Sequence, residues 1–396
     1  MSNLIEGGST IPTAHNVAEG GARQARTDEG ISSFGVARNA NDFRNVTVKN
    51  EPITPTASAG QLSAVFVQEI NVPSMCQVVY SVDEHWTAED FNQFVIGDDL
   101  NFADPAIQLG GPDAGLPKMY ISGLTFEARP ESGGQSLLTV VAFDKLHWLR
   151  FGTRTTRFVN QTDKQIFESV LSSVSGLTLS ADGMPADKQY PYVLQDNETS
   201  YDFLMRRCEE GNYECLVQVQ GGNEMLIVRP CAQGENPPAN LALVYRQDIE
   251  SISLDVRVPT AGSPTTAWGY DVTKGEWVSG TYDTDEERDK MKGLGPGFQY
   301  TRSFATPAPM TLRRPDLIDQ GTLEYAAQAA RTRRQNVFIE GTATLRDINL
   351  KTTAGVNVAL KGVNPHFDGW YYIHKSTHER DRQGDRTVLG LRRSGL

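Results

Sequence analysis

Ser251 to Val258 carries the strictest alternation in the chain: Ile252, Leu254, Val256 and Val258 are apolar, with Ser251, Ser253, Asp255 and Arg257 between them. A period of two predicts a strand with one face toward a core. Cys76, Val78 and Tyr80 alternate likewise with Gln77, Val79 and Ser81, and Tyr120, Leu124 and Phe126 share one strand face. Leu137 to Phe143 is apolar on both faces and fits a strand inside a sheet. Cys215, Val217 and Val219 lead to Gly221-Gly222-Asn223, and Met225 to Val228 returns, a hairpin pattern. Thr266 to Asp271 and Glu276 to Gly280 predict a second hairpin around Val272 to Gly275. Val356, Val358 and Leu360, then Gly369 to His374 and Thr387 to Leu391, predict further strands at the end of the chain.

Two segments turn abruptly from extended approach to helix. In Phe158 to Leu171, Thr162 and Gln165 have capping-box spacing, and Ile166, Phe167, Val170 and Leu171 follow on one helical face. In Tyr192 to Gly211, Thr199 stands three residues before Asp202, and Phe203 and Leu204 begin the apolar face. Gly211 is placed to end that helix in a left-handed cap. A third helix is expected from Thr322 to Arg334, where Leu323, Ala326, Ala327 and Ala330 imply close packing against a neighbour.

These patterns divide the chain. Residues 1–44, rich in Gly, Ser, Ala, Asn and Thr, read as an extended arm. Residues 45–150 are β, 151–238 form a mixed α/β connector ending in the Pro-rich stretch after Gly234, and 239–396 are β again. The last part includes a long excursion at 281–315 and the helix near 322–334. The expected fold class is α+β, predominantly β, with two barrel-like domains joined by the small mixed domain. A diverged internal duplication would account for two such domains, although no repeat is visible residue by residue.

A length of 396 residues predicts two to four domains. The net charge of −12 argues against a nucleic-acid groove as the main function; Arg331, Arg333 and Arg334 read as a solvated face or helix end. No apolar run approaches the roughly 18 to 20 residues that cross a bilayer, and the first residues resemble no secretion signal. The four cysteines, Cys76, Cys208, Cys215 and Cys231, fit no common zinc spacing and read as reduced thiols, with a Cys208–Cys215 bridge open on spacing alone.

Candidate chemistry is sparse. His374 and His378 have the H-x-x-x-H spacing of a zinc helix, but their surroundings read as a strand, which separates them by roughly 13 Å. The loop from Gly97 to Gly115 holds Asp98, Asp99, Asp104 and Asp113 without the register of a calcium loop. No nucleophile elbow or phosphate loop is present. Asn45, Asn160 and Asn197 begin glycosylation sequons, which carry little meaning without secretion. The reading is of no enzyme, no cofactor and no metal.

Several segments together resemble the baseplate hub proteins of contractile phage tails, the late control gene D family, and the N-terminal hub portion of VgrG spike proteins. Phe66 to Met75, Tyr120 to Phe126 and Val140 to Leu149 resemble strands of the family's first barrel. Leu194 to Leu204, with Gly211 and the hairpin that follows, matches a family signature. Ala267 to Asp271 resembles the strand opening the second barrel, and Gly341 to Gly362 with Phe367 to His374 the closing strands. The hub scaffold positions implied are Asn160, Thr162, Gln165, Asn197, Thr199, Asp202, Phe203, Gly211, Trp268, Gly269, Asp271, Gly369 and Tyr371.

The resemblance implies a homotrimer forming a pseudo-sixfold ring, with an inner tube protein above and a spike below. VgrG proteins continue into an oligonucleotide-fold domain and a β-helix; here the spike is expected to be a separate protein. Other baseplate proteins are expected as partners, with no nucleic acid and no direct membrane insertion. The particle is expected to be made in the bacterial cytoplasm as part of a phage tail or injection-particle baseplate. The competing readings are a hub-associated peptidoglycan hydrolase and a carbohydrate-binding β module of a tail fibre.

Overall fold

The computed structural model describes residues 46–102, 116–128, 136–181, 183–184, 188–234, 241–256, 264–271, 273–283, 291, 297–302, 309–314, 317–381 and 383–396. The arm at 1–44, Asn45, Asp104, Asp113, the Pro-rich boundary after Gly234 and much of the excursion at 281–315 lie outside them.

The first region contributes β1 (Val46–Val48), β2 (Glu51–Pro52), α1 (Pro55–Gly60), β3 (Gln61–Glu69) and β4 (Val72–Val82). It continues with α2 (Ala88–Asn92), β5 (Asp99–Phe102), β6 (Met119–Ala128) and β7 (Ser136–Phe143). A 3-10 turn at Lys145–Arg150 leads to β8 (Thr153–Thr162), α3 (Asp163–Leu171), β9 (Thr178–Ser180) and β10 (Gln189–Thr199). Then follow α4 (Ser200–Gly211), β11 (Tyr213–Gln220), β12 (Asn223–Pro230), β13 (Ala242–Val244) and β14 (Ile249–Val256). β15 (Thr265–Asp271), β16 (Glu276–Tyr282), α5 (Gly297–Arg302), β17 (Met310–Arg313) and α6 (Gln320–Gln335) precede the last strands. These are β18 (Ile339–Leu345), β19 (Val356–Lys361), β20 (Gly369–Asp381) and β21 (Gly384–Arg393). Asp99 therefore opens a short strand, although its acidic surroundings read as loop.

The fold is predominantly β, and both β regions belong to one sheet of 13 strands. Eight strands run β14-β18-β21-β20-β3-β4-β7-β6, each antiparallel to the next. This row is one unit written twice. In both halves the strands stand first, second, fourth, third in their own chain order. A flanking pair repeats as well: β1 lies beside β5, which pairs β6, and β13 lies beside β19, which pairs β20. β1–β5 is antiparallel and β13–β19 parallel, so the flank has diverged.

Two register slips in each unit coincide residue for residue. Register slips between Gln61 and Ser63 in β3, and between Ile249 and Ser251 in β14. It slips again between Ile121 and Gly123 in β6, and between Ile373 and Lys375 in β20. Bulges are specific features that redirect a strand, and superposing these makes Ser63 equivalent to Ser251, Phe66 to Leu254, Ile121 to Ile373 and Phe126 to His378. Following the β6 and β20 bulges through β7 and β21 carries Cys76 onto Gly341 and hence Val79 onto Thr344. The β3 and β14 bulges give the same match independently. Each unit buries its own face: Phe66, Val78, Tyr80 and Val140 in the first, Ala343, Leu345, Leu389 and Leu391 in the second.

The units were expected to stand apart, with the connector between them. Instead they adjoin through β20 and β3, in register from Lys375 opposite Glu69 to Arg380 opposite Ala64. His378 sits in this seam, fully buried, its ring stacked on Phe66 with centroids 6.2 Å apart. Its Nε2 lies 3.1 Å from Ser376 Oγ and its Nδ1 3.1 Å from Thr387 Oγ1. Burial pushes the imidazole down from 6.5 to about 3. The unfolded chain takes up this proton near pH 6.5 and the folded chain resists it, so stability is whole above pH 6.5 and falls as pH drops toward 3. By pH 5 the loss from this group should reach about 2 kcal/mol. Asp144, raised by burial to about 7, works in the opposite sense, losing stability as pH rises from about 4 to 7. Comparing denaturant midpoints of the wild type and His378→Gln at pH 7 and pH 5 isolates the histidine: the variant should lack its share of the acid loss.

The connector stacks at the end of the sheet marked by the β3–β4 turn. It holds the antiparallel ribbon β8–β10, the three-stranded sheet β11-β12-β9, and α3 and α4. The hairpin turn at Gly221 and Gly222 is left-handed at both residues, as that two-residue turn requires. The expectation that Ala267 to Asp271 opens the second barrel does not hold. β15 pairs only β16 and β17 among the described residues, and this sheet with α6 joins the connector core. Ala267, Leu317, Leu323, Ala326 and Ala327 pack there with Phe167, Phe203 and Leu204.

Candidate functional site

The two strand-then-helix units face each other across the β8–β10 ribbon, with Phe158 opposite Val193, Thr162 opposite Gln189 and Thr199 opposite Thr153. Each unit uses one local device. Asn160 and Asn197 adopt left-handed backbone, φ 51° and 49°, a conformation Asn tolerates better than most residues. Two residues later a threonine caps the helix. Thr162 Oγ1 accepts from Gln165 N at 3.3 Å, and Gln165 Oε1 accepts from Thr162 N at 3.0 Å, completing the capping box. Thr199 Oγ1 accepts from Asp202 N at 3.0 Å and donates to Asp202 Oδ2 at 2.6 Å. The Asn-x-Thr pattern that resembles a glycosylation sequon is thus a bend followed by a cap. Phe203, fully buried, stacks on Phe158 with centroids 5.5 Å apart and joins the two units.

Gly211 does not supply the left-handed cap of α4. It is the last helical residue, and Asn212 takes the cap at φ 52°, ψ 41°. Glycine is required at 211 because a Cβ there would run into the ring of Tyr213.

Beneath the ribbon lies a buried ion network that periodicity could not reveal. Arg207 of α4, almost wholly buried, donates from Nε to Asp163 Oδ1 at 3.0 Å and through its other nitrogens to Asp163 and Glu210. Tyr190 donates to Asp163 Oδ2 at 3.1 Å, with the guanidinium carbon 4.2 Å from its ring centroid. Arg314 reaches Glu210 at 2.7 Å, and Arg206 bridges to Glu198 at 2.7 Å. Burial opposes the charge on Arg207, but Asp163 and then Glu210 outweigh it and hold the guanidinium charged.

Further joints tie connector to sheet. Asn71, left-handed at the β3–β4 turn, accepts from Cys215 N at 2.7 Å, and its carbonyl accepts from Tyr201 OH at 2.8 Å. Buried Glu214 accepts from Arg392 at 2.9 Å and from Tyr372 OH. Glu224 takes Lys145 at 2.6 Å and Tyr120 OH at 2.7 Å. Each joint unites residues more than a hundred positions apart, or a turn with a distant strand. Only the lone asparagine in the Asn71 turn leaves a local mark in the sequence.

The remaining expected positions serve structure too. Trp268 is exposed on the outer face of β15. Gly269 faces the segment that leads from β17 into α6, where a Cβ would strike the Leu317 and Arg314 carbonyls. Asp271 Oδ1 accepts from Thr273 N at 2.9 Å and from Thr273 Oγ1 at 2.6 Å, closing the hairpin turn; these bonds lower its carboxyl to about 2. Gly369 starts β20 at φ 136°, and buried Tyr371 donates to the Phe367 carbonyl at 2.9 Å. His374 and His378 lie along β20, so the strand reading of that segment holds. Among the described residues no group of His, Cys, Asp or Glu could hold a metal ion, all four cysteines are free, and no helix is long and apolar enough to cross a membrane. What the arrangement does is hold two β units and a connector in fixed relation.

Solved structures share this fold. The 43 kDa tail protein of prophage MuSo2 from Shewanella oneidensis is 12% identical, with a TM-score of 0.63, covering 88% of this chain and 97% of that one. The tail protein from Neisseria meningitidis MC58 is 12% identical, with a TM-score of 0.61, covering 89% and 96%. The E. coli c3393 protein, a type VI secretion component with structural similarity to T4 tail proteins gp27 and gp5, is 12% identical, with a TM-score of 0.53, covering 87% and 76%. No curated protein matches the chain. A family model does match, and it is not that of the late control gene D family. The model described as the Alg8 N-terminal domain covers residues 125–381, more than half of the sequence, and the chain belongs to that family.

Proposed function

We propose that the chain is a structural hub of a phage tail or contractile injection system, adapting a sixfold inner tube to a threefold central spike. The observation that carries this reading is the duplicated unit. Two equivalent units per chain give three chains six similar positions, the symmetry such an adaptor needs. The shared fold with phage tail proteins supports the same reading, and the Alg8 description names no reaction. The role is mechanical and involves no turnover or cofactor. Partners are two further copies, an inner tube protein, a central spike and other baseplate proteins, with neither nucleic acid nor membrane bound. The chain is made in the bacterial cytoplasm and built into the particle.

Native mass spectrometry of the purified protein should give a trimer, and cell-wall zymography should give no clearing. A monomer at all concentrations that clears the gel would replace the hub with the hydrolase reading.

A further inference from the structure

The seam inside the chain is a template for a seam between chains. β20 meets two neighbours along one edge: β19 over its first residues, then β3 from Lys375 to Arg380. Its equivalent, β6, pairs β5 only at Met119 and Tyr120, and beyond that point no strand lies on that side among the described residues. The equivalent of β3 is β14, which pairs β18 alone among the strands described. So the two partners of the internal seam recur as the two ends of the eight-strand row.

Burial tells the same story position by position. Ser376, His378, Gln68 and Phe66 are buried in the internal seam. Their equivalents Leu124, Phe126 and Val256 are 40%, 54% and 41% exposed, and Leu254 is half-buried. Three large apolar side chains, Leu124, Phe126 and Val256, thus stand open where the other unit is closed by polar Ser376, His378 and Gln68. An exposed apolar stripe beside a strand edge is a surface made for pairing.

We propose that β6 of one copy pairs antiparallel with β14 of a second copy, in the register of β20 on β3. Transferring that register sets Leu124 opposite Val256, Phe126 opposite Leu254 and Ala128 opposite Ile252 of the neighbouring copy. Because the row holds an even number of strands, head-to-tail joining preserves the alternation of strand direction, and a contact of this kind forms a ring when its rotation closes, never a face-to-face dimer. This rests on the ring reading above and adds the residues that make the ring.

The test is disulfide trapping in the full chain. Phe126→Cys with Leu254→Cys, oxidised with copper phenanthroline, should yield reducible covalent trimers, as should Leu124→Cys with Val256→Cys. Phe126→Cys with Glu250→Cys, displaced along the strand, should not, nor should the wild type. Circular dichroism checks that each variant folds, and Leu124→Cys with Val256→Cys tests the seam at two exposed positions. A native trimer with neither matched pair trapped would overturn the seam and leave the hub reading intact; a protein monomeric throughout would sink both.

Discussion

Replacing Arg207 by alanine should destabilise the protein by about 3–5 kcal/mol, the cost of leaving buried carboxylates without their cation. Asp163 would keep the Tyr190 hydroxyl as a hydrogen-bond partner, whereas Glu210 would retain Arg206 and Arg314. Arg207→Lys should recover little, because an ammonium cannot reproduce the fork that engages Asp163 through two nitrogens and Glu210 through a third. The pair Asp163→Leu and Arg207→Met should cost far less than the sum of the single changes, since together they remove the unpaired charge. Chemical denaturation of the wild type, the four single variants and the double variant measures all of this. Strict additivity would mean that the network is not a coupled unit.

The second large effect lies where α6 meets the small sheet. Gly269 and Gly280 sit on adjacent strands, and a Cβ at either would strike backbone: the Leu317 and Arg314 carbonyls just before α6 for one, Leu323 and Glu324 within α6 for the other. Backbone cannot step aside as a side-chain tip can. The double change to alanine should therefore cost at least about 3 kcal/mol, the upper end of ordinary overpacking. It should release α6 first, which hydrogen exchange would report as lost protection across Gln320–Gln335. Unchanged protection there would refute the close-packing account.

The sequence disclosed elements better than their partners. The capped helices, the Gly221 hairpin and the alternation around Leu254 are local signals, and the structure contains them. The alanine-rich face of α6 correctly implied a close neighbour, but not that β15 and β16 would be that neighbour, because glycine at 269 and 280 leaves no periodic trace. The duplication was invisible for a related reason. Equivalent positions share burial and bulge location, not identity: Tyr80 matches Leu345, and Phe126 matches His378. Arg207, Glu214 and Glu224 looked like ordinary charged residues, since only tertiary contact makes a buried ion pair. At Gly211 the error was by one position, for glycine there serves a close approach and Asn212 makes the turn.

The central claim is that two equivalent units per chain build one ring. End-on averaged images of the isolated assembly test it most directly. Three chains should give six lobes of near-equal size around an open axis, alternating slightly with threefold symmetry. Three well-separated lobes, or a particle without a ring, would contradict it.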